Sequence, residues 1–298
     1  MDKNEVVHLA RKHGIDVNED TVKLNESGLD FQVAHVEDTE DSQWILRIPR
    51  RPDSTRSTDQ EKRALDIIHN HVSFQVPKWE VYTNELIAYK QLEGRPAGTI
   101  DPDIQNYVWS FDVENTPDTF HQTLGTALAE LHQLPKSYFT DTGIEINDAK
   151  DLRANMKQRM VKVKEQFGVS EVLWERWQKW VSEDSLWPTH TGLIHGDVHP
   201  GHTMINDTIE VTGFIDWTEV SVTDISRDFV THYILYQEAG LERLIEAYGN
   251  AGGKTWPKMK EHIIELQAAY AIDVAEFAIV SKSSEMEEMA KQMLGVDE

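Results

Sequence analysis

The sequence predicts an α+β fold, with a small antiparallel sheet near the N-terminus and a larger, mostly helical part after it. Three observations carry that expectation. Short runs rich in β-branched and aromatic residues cluster before residue 93. Beyond residue 98 the apolar residues recur three and four apart, the period of a helix. Between the two lies Glu93-Gly-Arg-Pro-Ala-Gly98, where Gly and Pro interrupt either pattern. A chain of 298 residues can form two lobes. The expected division is 1–93 and 94–298, with that interruption as the linker.

Taken in order, Val6–His13 reads as a short amphipathic helix with Val6, Leu9 and Ala10 on one side. Three strands follow at Thr21–Asn25, Asp30–Val36 and Gln43–Ile48. The turn between the first two, Asn25-Glu-Ser-Gly-Leu-Asp-Phe31, places Ser27 and Gly28 where a hairpin tip can lay N–H groups and a hydroxyl on phosphates. No G-K-[ST] follows, so it is not a Walker loop. The third strand sets Arg47 between apolar neighbours, and Glu61 lies in the first turns of a helix expected at Ser57–Asn70. The two can pair, and the planar fork of Arg47 suits phosphate; a surface Arg on an edge strand is the alternative. Trp79–Tyr82 and Leu86–Leu92 close the sheet. Backbone groups of Tyr89, Lys90, Gln91 and Leu92 are candidates for reading a base, and the bulk of Tyr89 would shape the choice.

The remainder reads as helices. Asn115-Thr-Pro-Asp118 is a helix start with Pro near the first position. Asn147–Phe167, Glu171–Ser182, Asp224–Ala239, Leu241–Tyr248 and Trp256–Val280 are further helices. Trp174, Trp177 and Trp180 stand three apart, as a core seam or as the wall of an apolar pocket. The acidic tail Ser281–Glu298 is expected to fray.

Asp and Glu number 52 against 29 Lys and Arg, a formal charge of −23. Such a surface repels nucleic acid and anionic membranes and attracts a cationic small molecule. There are no cysteines, which excludes disulfides and thiolate catalysis and suits a reducing compartment. With no apolar leader and no run long enough to span a bilayer, the expectation is a soluble cytoplasmic protein.

The densest chemistry lies in Leu193-Ile-His-Gly-Asp-Val-His-Pro-Gly-His-Thr-Met-Ile-Asn206 and Gly213-Phe-Ile-Asp-Trp217. Asp197 sits on a tight loop, His202 follows five residues later, and Asp216 ends a short apolar run. Phosphoryl transfer from a nucleotide uses a carboxylate to orient the attacking hydroxyl and two ligands to hold Mg²⁺. His195-Gly196-Asp197 and His202 match the spacing of H-R-D-x-x-x-x-N, and Asp216 stands where a later metal-binding Asp is expected. Zinc is the competing reading of His195, Asp197, His199 and His202. The loop carboxylate and Asp216 favour a hard, oxygen-liking ion, although His202 is unusual for Mg²⁺. Asp228, on the following helix, is a candidate acceptor holding the loop, or an ordinary surface carboxylate.

On these residues the chain resembles the aminoglycoside phosphotransferase-like kinases, a branch of the protein-kinase fold, and within them the macrolide phosphotransferases. Leu24-Asn-Glu-Ser-Gly-Leu-Asp-Phe-Gln32, Trp44-Ile-Leu-Arg-Ile-Pro-Arg-Arg-Pro52 and His199-Pro-Gly-His-Thr203 carry that closer likeness. The resemblance implies a bilobal kinase-like fold and transfer of the γ-phosphoryl of GTP, with ATP as the other possible donor, to the 2′-hydroxyl of a macrolide amino sugar. It implies Asp197 as base, His202 and Asp216 as Mg²⁺ ligands, and Arg47 with Glu61 in place of the usual strand lysine and its partner. Tyr233, Asp273, Glu276 and Phe277 are the candidates for holding the macrolide, the one partner expected of a monomer. A kinase for another cationic alcohol, such as an aminoglycoside or choline, and a pseudokinase that only binds nucleotide are the rival readings.

Overall fold

The computed structural model describes residues 1–26, 30–51, 58–101, 103, 104 and 106–296. They form two compact units, one of Met1–Pro117, Ser137–Ile144 and Pro200–Val220, the other of Asp118–Lys136, Glu145–His199 and Ser221–Glu298.

The first unit begins with α1 (Lys3–Lys12), started by a capping box between Asp2 and Glu5 and burying Val6, Val7, Leu9 and Ala10. Its main sheet contains β1 (Lys23–Asn25), β2 (Phe31–Glu37), β3 (Gln43–Pro49), β4 (Trp79–Tyr82) and β5 (Ile87–Lys90). They lie in the order β1-β2-β3-β5-β4, with antiparallel pairing throughout. The central β3 is buried on both faces, so Arg47 is no edge-strand residue. Helix α2 (Thr58–Ile68) turns Glu61, Ala64, Leu65 and Ile68 inward. A core of Val6, Val22, Ala34, Leu46, Leu86 and their neighbours fills one side of the sheet.

The expectation of helices alone after residue 98 needs correction. β6 (Arg95–Pro96), β7 (Gly98–Asp101) and β8 (Asn106–Trp109) follow directly, and β7 and β8 pair antiparallel. Thr99, Ile100, Tyr107, Val108 and Trp109 favour strands, but four-residue strands are too short for alternation to register. Further strands are β9 (Gly192–Ile194), β10 (Thr203–Ile205), β11 (Val211–Phe214) and β12 (Ser221–Thr223). β10 and β11 form a hairpin in the first unit, while β9 pairs with β12 in the second.

The second unit holds α3 (Asp118–His132), α4 (Ala149–Phe167), α5 (Glu171–Ser182), α6 (Val230–Asn250), α7 (Met259–Ala268), α8 (Tyr270–Ser281) and α9 (Ser284–Leu294). α6 continues through the expected gap at Gly240 and instead kinks at Gln237, with φ 55° and ψ −165°. The long segment expected from Trp256 divides into α7 and α8. The tail is not frayed along its length: Ser283 caps α9, whose Ala290 and Leu294, four apart, are buried. The core here gathers Met160, Val163, Trp177, Trp180, Ile272, Ala275 and Leu294.

Candidate functional site

The β10–β11 hairpin explains how two distant residues of the sequence meet. Thr203 pairs with Phe214 and Met204 with Gly213. One step outward, the Ile215 N–H donates to the His202 carbonyl at 3.0 Å. His202 and Asp216 therefore leave the hairpin side by side, with Nε2 and Oδ2 3.7 Å apart. Ligands on opposite sides of one ion with bonds of about 2.1 Å would be about 4.2 Å apart, so a single divalent cation can bind both. Asp216 has φ 61°, a left-handed conformation that typically costs a non-glycine residue about 1–3 kcal/mol. The Thr218 hydroxyl donates to its Oδ1 at 3.1 Å.

Beside this hairpin in the same unit lies a buried ion pair. Arg47 Nη1 donates to Glu61 Oε1 at 2.8 Å, with the two side chains only 10% and 4% exposed. The guanidinium also lies over the rings of Phe31 and Trp79. Burial opposes the Arg47 charge, but Glu61, then Tyr89 and Asp216, hold its pKa above the ordinary arginine value. Burial pushes the Glu61 carboxyl up, and Arg47 offsets this only in part. Glu61 also accepts the backbone N–H of Trp217, which ties α2 to the residue after Asp216. That link is invisible in the sequence, because a backbone donor leaves no residue-type signal.

Burial pushes the Tyr89 hydroxyl up to about 12, so it stays protonated. The Lys90 ammonium faces Ser42 Oγ at 3.1 Å. The Gln91 N–H is spent on the Gln43 carbonyl at 2.9 Å. The N–H of Leu92 makes no hydrogen bond among the described residues. Ser27 and Gly28 lie outside the described residues.

Asp197 belongs to the second unit, where β9 leads into its loop. Asp228 is almost wholly buried. Its Oδ2 accepts the His195 N–H at 2.9 Å, and its Oδ1 accepts the Gly196 N–H at 2.8 Å. His132 Nε2 reaches Oδ2 at 3.0 Å, and His132 Nδ1 meets the Tyr248 hydroxyl at 3.1 Å. Asp228 is thus the acceptor that holds the loop, and the surface-carboxylate alternative is excluded. Gly196 has φ 90°, a turn that favours glycine. The Asp197 N–H donates to His195 Nδ1 at 3.2 Å, while its half-exposed carboxylate faces His199 Nε2 at 3.9 Å.

In the same unit Asp273 and Glu276 are both engaged by Arg159: Nη2 donates to Asp273 Oδ1, and Nε and Nη2 donate to Glu276. Arg227 stands 3.8 Å from Asp273. Phe277 is half-exposed, and Tyr233 is partly buried. Trp177 and Trp180 are core residues, 0% and 1% exposed, so the aromatic stripe is a packing seam and not an open wall. Tyr270, at the start of α8, was not among the residues singled out from the sequence. Burial, then Asp273 and Asp197, raise its hydroxyl pKa, which puts it within electrostatic reach of the loop carboxylate. Its spacing three before Asp273 was the available signal.

With this geometry, the chain belongs to the phosphotransferase enzyme family, whose sequence model (APH) matches residues 21–262. It is 43% identical over 292 residues to the uncharacterized protein YcbJ of Bacillus subtilis (strain 168), covering 98% of this chain and 95% of that one. The crystal structure of macrolide 2′-phosphotransferase MphH from Brachybacterium faecium, as apoenzyme, superposes with a TM-score of 0.94 at 32% identity, over 100% of this chain and 99% of the other. A macrolide 2′-phosphotransferase type I structure gives 0.89 at 34% identity, over 100% and 98%. An aminoglycoside phosphotransferase in complex with GDP and kanamycin, at TM-score 0.74 and 16% identity, shares the kinase-like fold.

Proposed function

We propose that the protein is a macrolide 2′-phosphotransferase that inactivates macrolides by moving the γ-phosphoryl of GTP to the 2′-hydroxyl of their amino sugar. The observation that carries this is the full-length likeness to macrolide 2′-phosphotransferases at 32% and 34% identity, about twice the 16% shared with the aminoglycoside enzyme. In this reading Asp197 orients the 2′-hydroxyl and accepts its proton as the oxygen attacks the γ-phosphorus. The bond to the β-phosphate oxygen breaks and GDP leaves.

His202 and Asp216 fit Mg²⁺ by their spacing, and the ion when bound would neutralise charge on the phosphates. Arg47, held by Glu61, contacts phosphate together with Ser27 and Gly28. Of Tyr89, Lys90, Gln91 and Leu92, the first three are tied into the sheet, and the Leu92 backbone, whose N–H makes no hydrogen bond among the described residues, reads the base. The proposed functional division is a nucleotide-binding part, 1–93, and a catalytic and acceptor part, 94–298. Tyr233, Asp273, Glu276 and Phe277 hold the acceptor. We place the enzyme in the cytoplasm as a monomer acting on small molecules, without nucleic acid or membrane partners.

The test crosses GTP and ATP, with Mg²⁺, against an erythromycin-type macrolide and kanamycin. Mass spectrometry should find one added phosphate on the macrolide, with GTP preferred, and none on kanamycin. Phosphorylated kanamycin with unmodified macrolide overturns the acceptor, and no transfer to any alcohol supports a pseudokinase.

A further inference from the structure

Gln75 is fastened to two places that the proposed function uses separately. Its N–H donates to the Thr212 carbonyl at 2.8 Å, and its carbonyl accepts the Phe214 N–H at 3.0 Å. It thereby flanks the strand that delivers Asp216. Its side chain reaches the other way. Nε2 donates to the Glu93 carbonyl at 3.3 Å, and Oε1 accepts the Glu93 N–H at 2.8 Å. One primary amide thus satisfies both backbone groups of the residue that follows Tyr89–Leu92.

The surrounding chain is shaped to this arrangement. A Cβ at Gly213 would lie 2.4 Å from the Gln75 carbonyl oxygen. Gly94, at φ +97°, has no room for one either, since it would lie 2.5 Å from the Ile205 carbonyl oxygen. Beyond it, Arg95 and Pro96 pair with Ile205 and Met204. The linker is sewn to the β10–β11 hairpin by backbone pairing on one side and by the Gln75 side chain on the other.

We propose that Gln75 is a positioning residue that locks the linker backbone at residues 89–93 to the hairpin carrying His202 and Asp216, so that seating a base and seating a cation are coupled. This rests on the base and metal assignments above. A ligand that orders one end of a rigid connection also orders the other end, and the second ligand then binds more tightly without touching the first. If the amide is removed, the exposed Glu93 backbone turns to water, residues 89–93 keep only the more distant pairing of Arg95 and Pro96 with the hairpin, and the two sites order largely alone.

The test uses guanosine, which has no phosphate to touch a cation, and Mn²⁺, followed by the paramagnetic signal of the free ion. In the wild type, saturating guanosine should tighten Mn²⁺ binding about five-fold or more, the low end of typical coupling. In Gln75→Ala and Gln75→Met that enhancement should fall to near one, while each ligand alone still binds and thermal stability stays close to wild type. Gln75→Glu keeps the acceptor but sets a carboxylate oxygen against the Glu93 carbonyl, so it should lose most of the coupling. Wild-type coupling retained in all three variants, or absent from the wild type, overturns the inference. Failure of guanosine to bind the wild type, or Mn²⁺ binding undiminished by Asp216→Ala, overturns instead the site assignments on which it rests.

Discussion

Asp228→Asn isolates the support of the loop that carries Asp197 from the chemistry proposed for it. The wild-type carboxylate is 1% exposed. It accepts two backbone N–H groups, at 2.9 and 2.8 Å, and faces His132 at 3.0 Å. Asparagine keeps the shape but offers one acceptor oxygen and one NH₂. Wherever the NH₂ points, it meets a donor. Hydrogen bonds to a charged group contribute about 1.5–3 kcal/mol each, so one lost bond together with the donor–donor conflict should cost about 2–4 kcal/mol. For a chain of this size that is a fall in Tm of roughly 3–6 °C. The displaced groups are the N–H donors of His195 and Gly196, next to Asp197. A shift of about 1 Å there can slow transfer about a hundred-fold, so kcat should fall between ten- and a hundred-fold while donor affinity holds. Thermal unfolding and steady-state kinetics at saturating donor measure both. An Asp228→Asn protein that melts and turns over like wild type would falsify the view that these bonds hold the loop.

Four other outcomes follow from the geometry. Asp197→Asn should lower kcat about a hundred-fold or more, about 3 kcal/mol, and leave GDP affinity by calorimetry nearly unchanged; near-normal turnover would remove Asp197 from the mechanism. Asp216→Gly deletes a proposed cation ligand and relieves the φ of 61°, so it should abolish turnover yet stabilise the protein by up to about 1 kcal/mol in urea unfolding; a destabilised variant would show that no strain resides there. Arg47→Ala and Glu61→Ala each leave a buried charge alone and should cost about 3–5 kcal/mol, but the double variant should cost clearly less than their sum, and additive losses would mean the pair is not coupled. Burial, then the neighbouring His121, lowers the pKa of His232 from 6.5 to about 3. The unfolded chain therefore takes up a proton that the folded chain refuses. Stability should be intact above pH 6.5 and decline by about 1.4 kcal/mol per unit as the pH falls toward 3. His232→Phe should flatten that acid limb, and an unchanged slope would refute the assignment.

Local order and local chemistry were legible in the sequence. The strands expected at Trp79–Tyr82 and Gln43–Ile48 and the helix expected at Glu171–Ser182 are present as β4, β3 and α5. Asp197, His202 and Asp216 stand out because their order and spacing match the groups that phosphoryl transfer uses. Such features depend on residues near one another in the chain, where spacing is itself geometry.

What tertiary structure alone decided depends on partners far apart in sequence. Asp228 has the same spelling whether it faces water or the loop N–H groups, and only burial beside His195, Gly196 and His132 assigns its role. Asp273 and Glu276 read as free acids until Arg159, more than a hundred residues earlier, is found against both. The tryptophan stripe could face a ligand or a core, and Trp180, stacked on Trp187 at 4.7 Å, settles it as core. Gln75 carries no local signature, because its work is done on the backbones of Thr212, Phe214 and Glu93. Side-chain periodicity reports which face of an element is apolar; it cannot report what covers that face, because that depends on how the chain folds back on itself.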